Sequence, residues 1–239
     1  MDNSIFQIFS TEHIAAMIIL FTFNLIIITW LKKTADMRTN DVFRISLGVI
    51  IIILELLGNI WKIYYGEWSL SSSLPLHLCG ITSYLCIIML IRRTGSLYGP
   101  VFFWGLAGAT IAVITPSLKY NFPHPLFLKF FIDHNVIILS ALYITFIENY
   151  RPDFKSVLRI FLITNVYMAG VGAVNYALDA NYLYICRKPR GTTFLNHLGP
   201  WPYYILSMEA VTFLIFFILY LIFNFSKFRS VKLRIHNGR

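Results

Sequence analysis

Four side chains able to do chemistry recur along one short stretch, "HLCGITSYLC": Cys79, Thr82, Ser83 and Cys86. Steps of three, four and seven residues place them on one face of a helix. A thiol in the first turn of a helix sits among backbone N–H groups with no partner in the helix, a field that favours its thiolate. An imidazole within reach completes a nucleophile–base pair, which splits acyl transfer into two easier steps through a thioester. Cys79 holds that first-turn position. Cys86 lies two turns deeper, among Leu and Ile, and reads as core. A lone cysteine in an apolar helix is ordinarily a small buried hydrophobe, so Cys79 reads as a nucleophile only with a base beside it.

The base must come from the six histidines. His13, His77 and His134 open apolar stretches, His124 and His197 lie in connections, and His236 lies near the C-terminus. A histidine at a helix entrance often only snorkels or caps. His134 is the expected general base, acting on a nucleophile from another helix. Its neighbours Asp133 and Asn135 cannot both point its way, so Glu55, Asn59 and Glu209 join Asn135 as candidates for orienting the base or binding substrate. His77, two residues from Cys79, either orients the site or caps the helix. His197 sits in "NHLGPWPYY", whose prolines and aromatics suit a rigid plug beside a site. No pair of histidines has the H-x-x-x-H spacing of a helical zinc site and no C-x-x-C is present, so neither metal nor any other cofactor is expected.

What positions these groups is a membrane. Of 239 residues, 57% are hydrophobic and 13% charged, with a mean hydropathy of +0.67, whereas soluble domains carry about 25% charged residues. Runs of about 20 apolar residues, enough to cross about 30 Å of hydrocarbon, lie at 11–31, 43–64, 76–92, 100–116, 129–148, 157–178 and 202–225. The expected fold is all-α, a polytopic bundle of seven transmembrane helices in a single domain. The first run has no small-residue cleavage site after it and reads as a retained span. Residues 179–201 form the longest connection and read as an ordered lid.

A net charge of +9 can signal nucleic acid, but the charges sit in short connections, where topology and anionic headgroups explain them. No nucleic-acid partner is expected. Counting Lys and Arg gives fourteen on the side of residues 32–44, 92–93, 151–159 and the C-terminal tail, against six on the other. The rule for such asymmetry puts the N-terminus outside and the C-terminus in the cytoplasm. Glu55, Asn59, Asn175 and Glu209 then lie in the outer halves of their spans. An ionisable residue at such depth costs about 2.5–3.5 kcal/mol on insertion scales and is by default functional. Their convergence predicts a polar cavity beneath the outer leaflet.

Three segments in this order, "LPLHLC", "DHN" and "NHLGPWPYY", resemble the YwaF-like bacterial membrane proteins, relatives of the transmembrane-protein-164 family. The resemblance extends over nearly the whole chain. It implies a membrane acyltransferase that moves a fatty acyl chain from a phospholipid donor to a lyso-lipid acceptor, with Cys79 as nucleophile and His134 as its partner. Ile-, Lys- and Asn-rich usage suggests a low-GC bacterium, hence the plasma membrane. Two other functions remain open. A lipid hydrolase would use the same pair with water as acceptor. A small-solute transporter would usually show two similar halves and a site at mid-membrane, whereas these halves are unlike and the polar groups lie off-centre.

Overall fold

The computed structural model describes residues 5–34, 36–189 and 194–236. In hydrocarbon a backbone must satisfy its own N–H and C=O groups, which leaves an apolar run the helix as its solution. Among the described residues seven long helices follow one another: α1 Thr11–Thr34, α2 Met37–Tyr64, α3 Leu78–Arg92, α4 Gly95–Ile114, α5 Pro125–Phe146, α6 Phe154–Leu178 and α7 Tyr203–His236. Among the described residues the extended pairing is confined to one isolated bridge, Ile5 with Tyr120. Local chemistry sets several starts. Asp36 accepts from the Thr39 N–H at the head of α2, and Asp153 from the Ser156 N–H at the head of α6. Pro125, whose missing N–H is no loss in a first turn, opens α5 behind a His124 side-chain cap.

Six of the seven helices are long and apolar enough to cross a bilayer; α3 is not. The expected third span, 76–92, is thereby corrected. Fifteen residues rising about 1.5 Å each cover only about 22 Å. Pro75 biases the residue before it away from helical backbone, and the chain from 65 to 77 stays irregular, folded over the head of α3. Gly80 permits this close approach: a Cβ there would come within 3.1–3.3 Å of the Pro75 backbone. At the far end, Arg44 of α2 donates to the carbonyls of Leu90 and Ile91, and Arg93 bridges Asp41 and Glu148 at 3.3 and 3.4 Å. Hence α3 runs antiparallel to α2, with its head set below the end of its neighbour.

The layers follow from burial. In the most apolar stretch of α4 and of α5, 56% is buried, against 17% for α1, α2 and α6 and 6% for α7. Thus α4 and α5 are the central pair, packed with α3 around Phe102, Phe103, Cys86, Ile137 and Ile144. The outer helices turn residues such as Ile19, Leu56, Val166 and Leu206 outward, as lipid-facing surfaces do. Within α4, Trp104–Ala109 form a π-helical turn, a widening that recurs at functional sites. Gly105 faces α5 there, where a Cβ would meet Ala141 and Ile137 at 3.2 and 3.3 Å.

The 179–201 connection is tied down over its described part. Asn175 and Tyr182 exchange two hydrogen bonds, Nδ2 to the Tyr182 carbonyl at 2.9 Å and the Tyr182 N–H to Oδ1 at 2.8 Å. The Tyr182 hydroxyl donates to Leu70 O at 2.8 Å and accepts from the Leu74 N–H at 3.0 Å. One buried phenol therefore joins this loop to the irregular 65–77 segment. Tyr182→Phe removes the hydroxyl and strands a donor and an acceptor, so a stability loss of about 1–3 kcal/mol is expected. A thermal unfolding series in detergent reads it as a lowered midpoint.

Candidate functional site

Cys79 is the second residue of α3. Behind it His77 is the N-cap residue in extended backbone, but its side chain makes no capping bond. The imidazole instead turns to the loop, with Nδ1 accepting from the Leu183 N–H at 3.3 Å and the ring 5.4 and 5.0 Å from Tyr182 and Tyr184. First-turn N–H groups have no acceptor inside their own helix, so the head of α3 offers donors next to the thiol. The rest of the predicted polar face is spoken for. Thr82 and Ser83 donate back to the carbonyls of Leu78 and Cys79 at 2.6 and 3.3 Å, and Cys86 is fully buried in the main core.

Cys79 and His134 line the same cavity, of about 440 Å³. His134 sits in the third turn of α5, where its Nδ1 lies 2.7 Å from Phe130 O. A carbonyl only accepts, so Nδ1 carries the proton and the Nε2 of the neutral ring keeps a free lone pair. The orienting group is therefore a backbone carbonyl one turn back, not one of the carboxylates or amides expected from the sequence. One side of the cavity is largely apolar: Ile111 of α4 with Thr115 just past its end, whose hydroxyl is turned back onto Ile111 O, and Met208, Val211 and Ile215 of α7. A second apolar crevice of about 210 Å³ shares Ile111, Thr115, Val211 and Ile215 and reaches Ile114, which is exposed on the lipid-facing surface. The two spaces thus share a wall between α4 and α7.

Residues 8–220 match the family model of the TMEM164 family. The chain belongs to that family. No curated protein and no solved structure matches it.

Other candidates in this TMEM164-family chain lie apart from the thiol. Glu209 accepts from Asn165 Nδ2 of α6 at 2.7 Å, and Asn135 accepts from Asn24 Nδ2 of α1 at 2.8 Å. These are helix-to-helix contacts of the kind that holds membrane bundles together. His197 is exposed in the 3₁₀ turn Phe194–His197, whereas its neighbour Leu195 lines the cavity. Glu55 and Asn59 line a separate polar cavity of about 530 Å³. There Asn59 accepts from Trp68 Nε1 at 3.2 Å, and the Lys129–Asp133 ion pair of α5 forms one wall. His77, Ser117 and Phe130 line both cavities, which adjoin across them.

Sequence reasoning missed several lining groups. Gly108, from the π-helical turn, borders the thiol cavity; "WGLAGA" carries only the hint of two glycines. Tyr184 lines it from the loop, and both Leu183 and Tyr184 hold positive φ of 59° and 55°. That left-handed backbone costs a non-glycine residue about 1–2 kcal/mol and persists where the surroundings enforce it. Tyr204 does so by donating its hydroxyl to the Tyr184 carbonyl. Cys186, the exposed cysteine of the loop, is held through its N–H by Asn181 at 3.2 Å and does not line either cavity.

Proposed function

We propose that this TMEM164-family protein is a membrane acyltransferase that transfers a fatty acyl chain from a phospholipid to a lyso-lipid through a thioester on Cys79. The observation that carries this reading is the shared cavity. A thiol at an uncapped helix head and an imidazole with a free Nε2 line one space, whose apolar lining extends to the exposed Ile114 between α4 and α7. That extension suits an acyl chain arriving sideways from the bilayer. On this reading the cavity end of the bundle faces outward and the arginine-rich end, with Arg44, Arg93 and Arg151, faces the cytoplasm, as the positive-inside rule requires.

In the first half-reaction Cys79 gives its proton to His134 Nε2, and Sγ bonds to the ester carbonyl carbon as the π pair moves to oxygen. N–H groups in the first turn of α3 hold the oxyanion; one such donor is worth about 3–4 kcal/mol in enzymes where it has been removed. The C–O bond then breaks, and the departing lyso-lipid oxygen takes the proton from His134. In the second half the acceptor's hydroxyl gives its proton to His134 and attacks the thioester carbonyl. The thiolate leaves and recovers the proton from the imidazolium.

The test is product analysis with purified protein and a phospholipid labelled in its acyl chain. Label is expected in a new diacyl lipid, rising with added lyso-lipid and unchanged by a zinc chelator. Free fatty acid formed at a rate indifferent to lyso-lipid points instead to a hydrolase. Absence of any acyl release contradicts both.

A further inference from the structure

The polar cavity beside the thiol has a composition that acyl chemistry alone does not call for. Three lysines, Lys62, Lys119 and Lys129, and two carboxylates, Glu55 and Asp133, line it. Lys129 is occupied by Asp133 and lies 3.5 Å from Leu54 O. Among the described residues neither Lys62 nor Lys119 has a carboxylate within ion-pair distance, although Lys119 lies over the Tyr120 ring at 5.0 Å. On the same wall the Asp133 Oδ1 is buried with no hydrogen-bond partner. Two unpaired cations and an orphaned acceptor around about 530 Å³ of space describe a site built for a group bearing both negative oxygens and a donor.

Depth narrows the choice. Exposed Trp61, Tyr64, Trp68, Tyr176, Trp201 and Tyr203 all lie at the end of the bundle where α2 and α6 finish and α3 and α7 begin. Exposed Trp and Tyr of a membrane protein gather at the level of lipid headgroups. The polar cavity opens within this belt, since Trp68 itself lines it. The thiol cavity adjoins it across His77, Ser117 and Phe130 and shares a wall with the apolar crevice. Polar cavity, thiol cavity and apolar crevice therefore adjoin in the order headgroup, ester and acyl chain follow along a phospholipid.

We propose that the polar cavity is the headgroup subsite of the lipid substrate, in which Lys62 and Lys119 bind the phosphodiester while the ester carbonyl reaches Cys79. This rests on the acyltransferase reading for its orientation, but the binding of phosphate does not depend on the chemistry at the thiol. Lysine meets phosphate as a compact charge with donors, and Asp133 Oδ1 accepts from a donor group further along the headgroup.

The experiment measures binding of two ether-linked lipids to the purified protein in nanodiscs: a dialkyl phospholipid, and the matching dialkylglycerol without phosphate. Neither carries an ester, so neither reports on acyl transfer. The wild type is expected to prefer the phospholipid, and Lys62→Gln and Lys119→Gln each to weaken phospholipid binding about tenfold. Dialkylglycerol binding stays unchanged in both, and Lys62→Arg retains the preference. Equal binding of the two lipids by the wild type, or full affinity in the double Gln variant, overturns the proposal. Failure of the acyltransferase reading looks different: phospholipid still binds with lysine dependence, while an ester phospholipid leaves no acyl group on Cys79.

Discussion

Cys79→Ala is expected to lower acyl transfer by a factor on the order of 10⁴ or more, because removing a nucleophile eliminates the covalent route and not a single contact. Cys79→Ser tests the chemistry at nearly constant shape. Its hydroxyl ionises far less readily than a thiol, so the serine variant should fall close to alanine. Folding is not expected to account for either loss. Cys79 is only partly buried and borders open space, so truncation leaves little new void. Cys86→Ala is the matched control, since that residue is fully buried in the core. It should lose about 1 kcal/mol of stability and keep its turnover. Rate assays on the three variants, each checked for an unaltered elution profile, decide the matter.

The second large effect is at the imidazole. His134→Ala is expected to reduce the rate by about 10²–10⁴, the range for losing a positioned general acid–base. His134→Gln fills the same space and can keep the bond to Phe130 O, yet it cannot shuttle a proton, so it should be no better than alanine. Two residues acting as one unit are non-additive. The double variant Cys79→Ala/His134→Ala should therefore be no slower than Cys79→Ala alone. An additive double variant would mean that the histidine acts elsewhere, for example by positioning the loop.

The long apolar runs were legible because the bilayer imposes both length and helicity. Six of the expected spans correspond to helices long enough to cross. The third run, 76–92, differs in its start and its reach: Leu76 and Leu78 look alike in a hydropathy profile, yet the helix begins only at Leu78, and its fifteen residues are too few to cross. The π-helical turn at Trp104–Ala109, where Gly105 packs closely on α5, has no mark in a hydropathy profile either.

At the site, residue type and the family resemblance singled out Cys79 and His134. Facing direction was the harder quantity. Successive helical residues point about 100° apart, so Asn135 meets Asn24 while His134 lines the thiol cavity. In the same way Glu209 meets Asn165 while Met208 and Val211 line that cavity. Sequence depth alone therefore merged three things that the fold separates: glue between helices, a thiol cavity and a polar cavity. The carbonyl that orients His134 left no mark in the sequence, since any residue at position 130 supplies one.

The most direct measurement is intact-protein mass spectrometry after brief incubation with an ester phospholipid and no acceptor, followed by peptide mapping. A mass increase of one acyl group is expected, located on Cys79, cleared by added lyso-lipid and absent from Cys79→Ala. An enzyme that turns over while carrying no acyl group on Cys79, or carrying it on Cys86 or Cys186 instead, would contradict it.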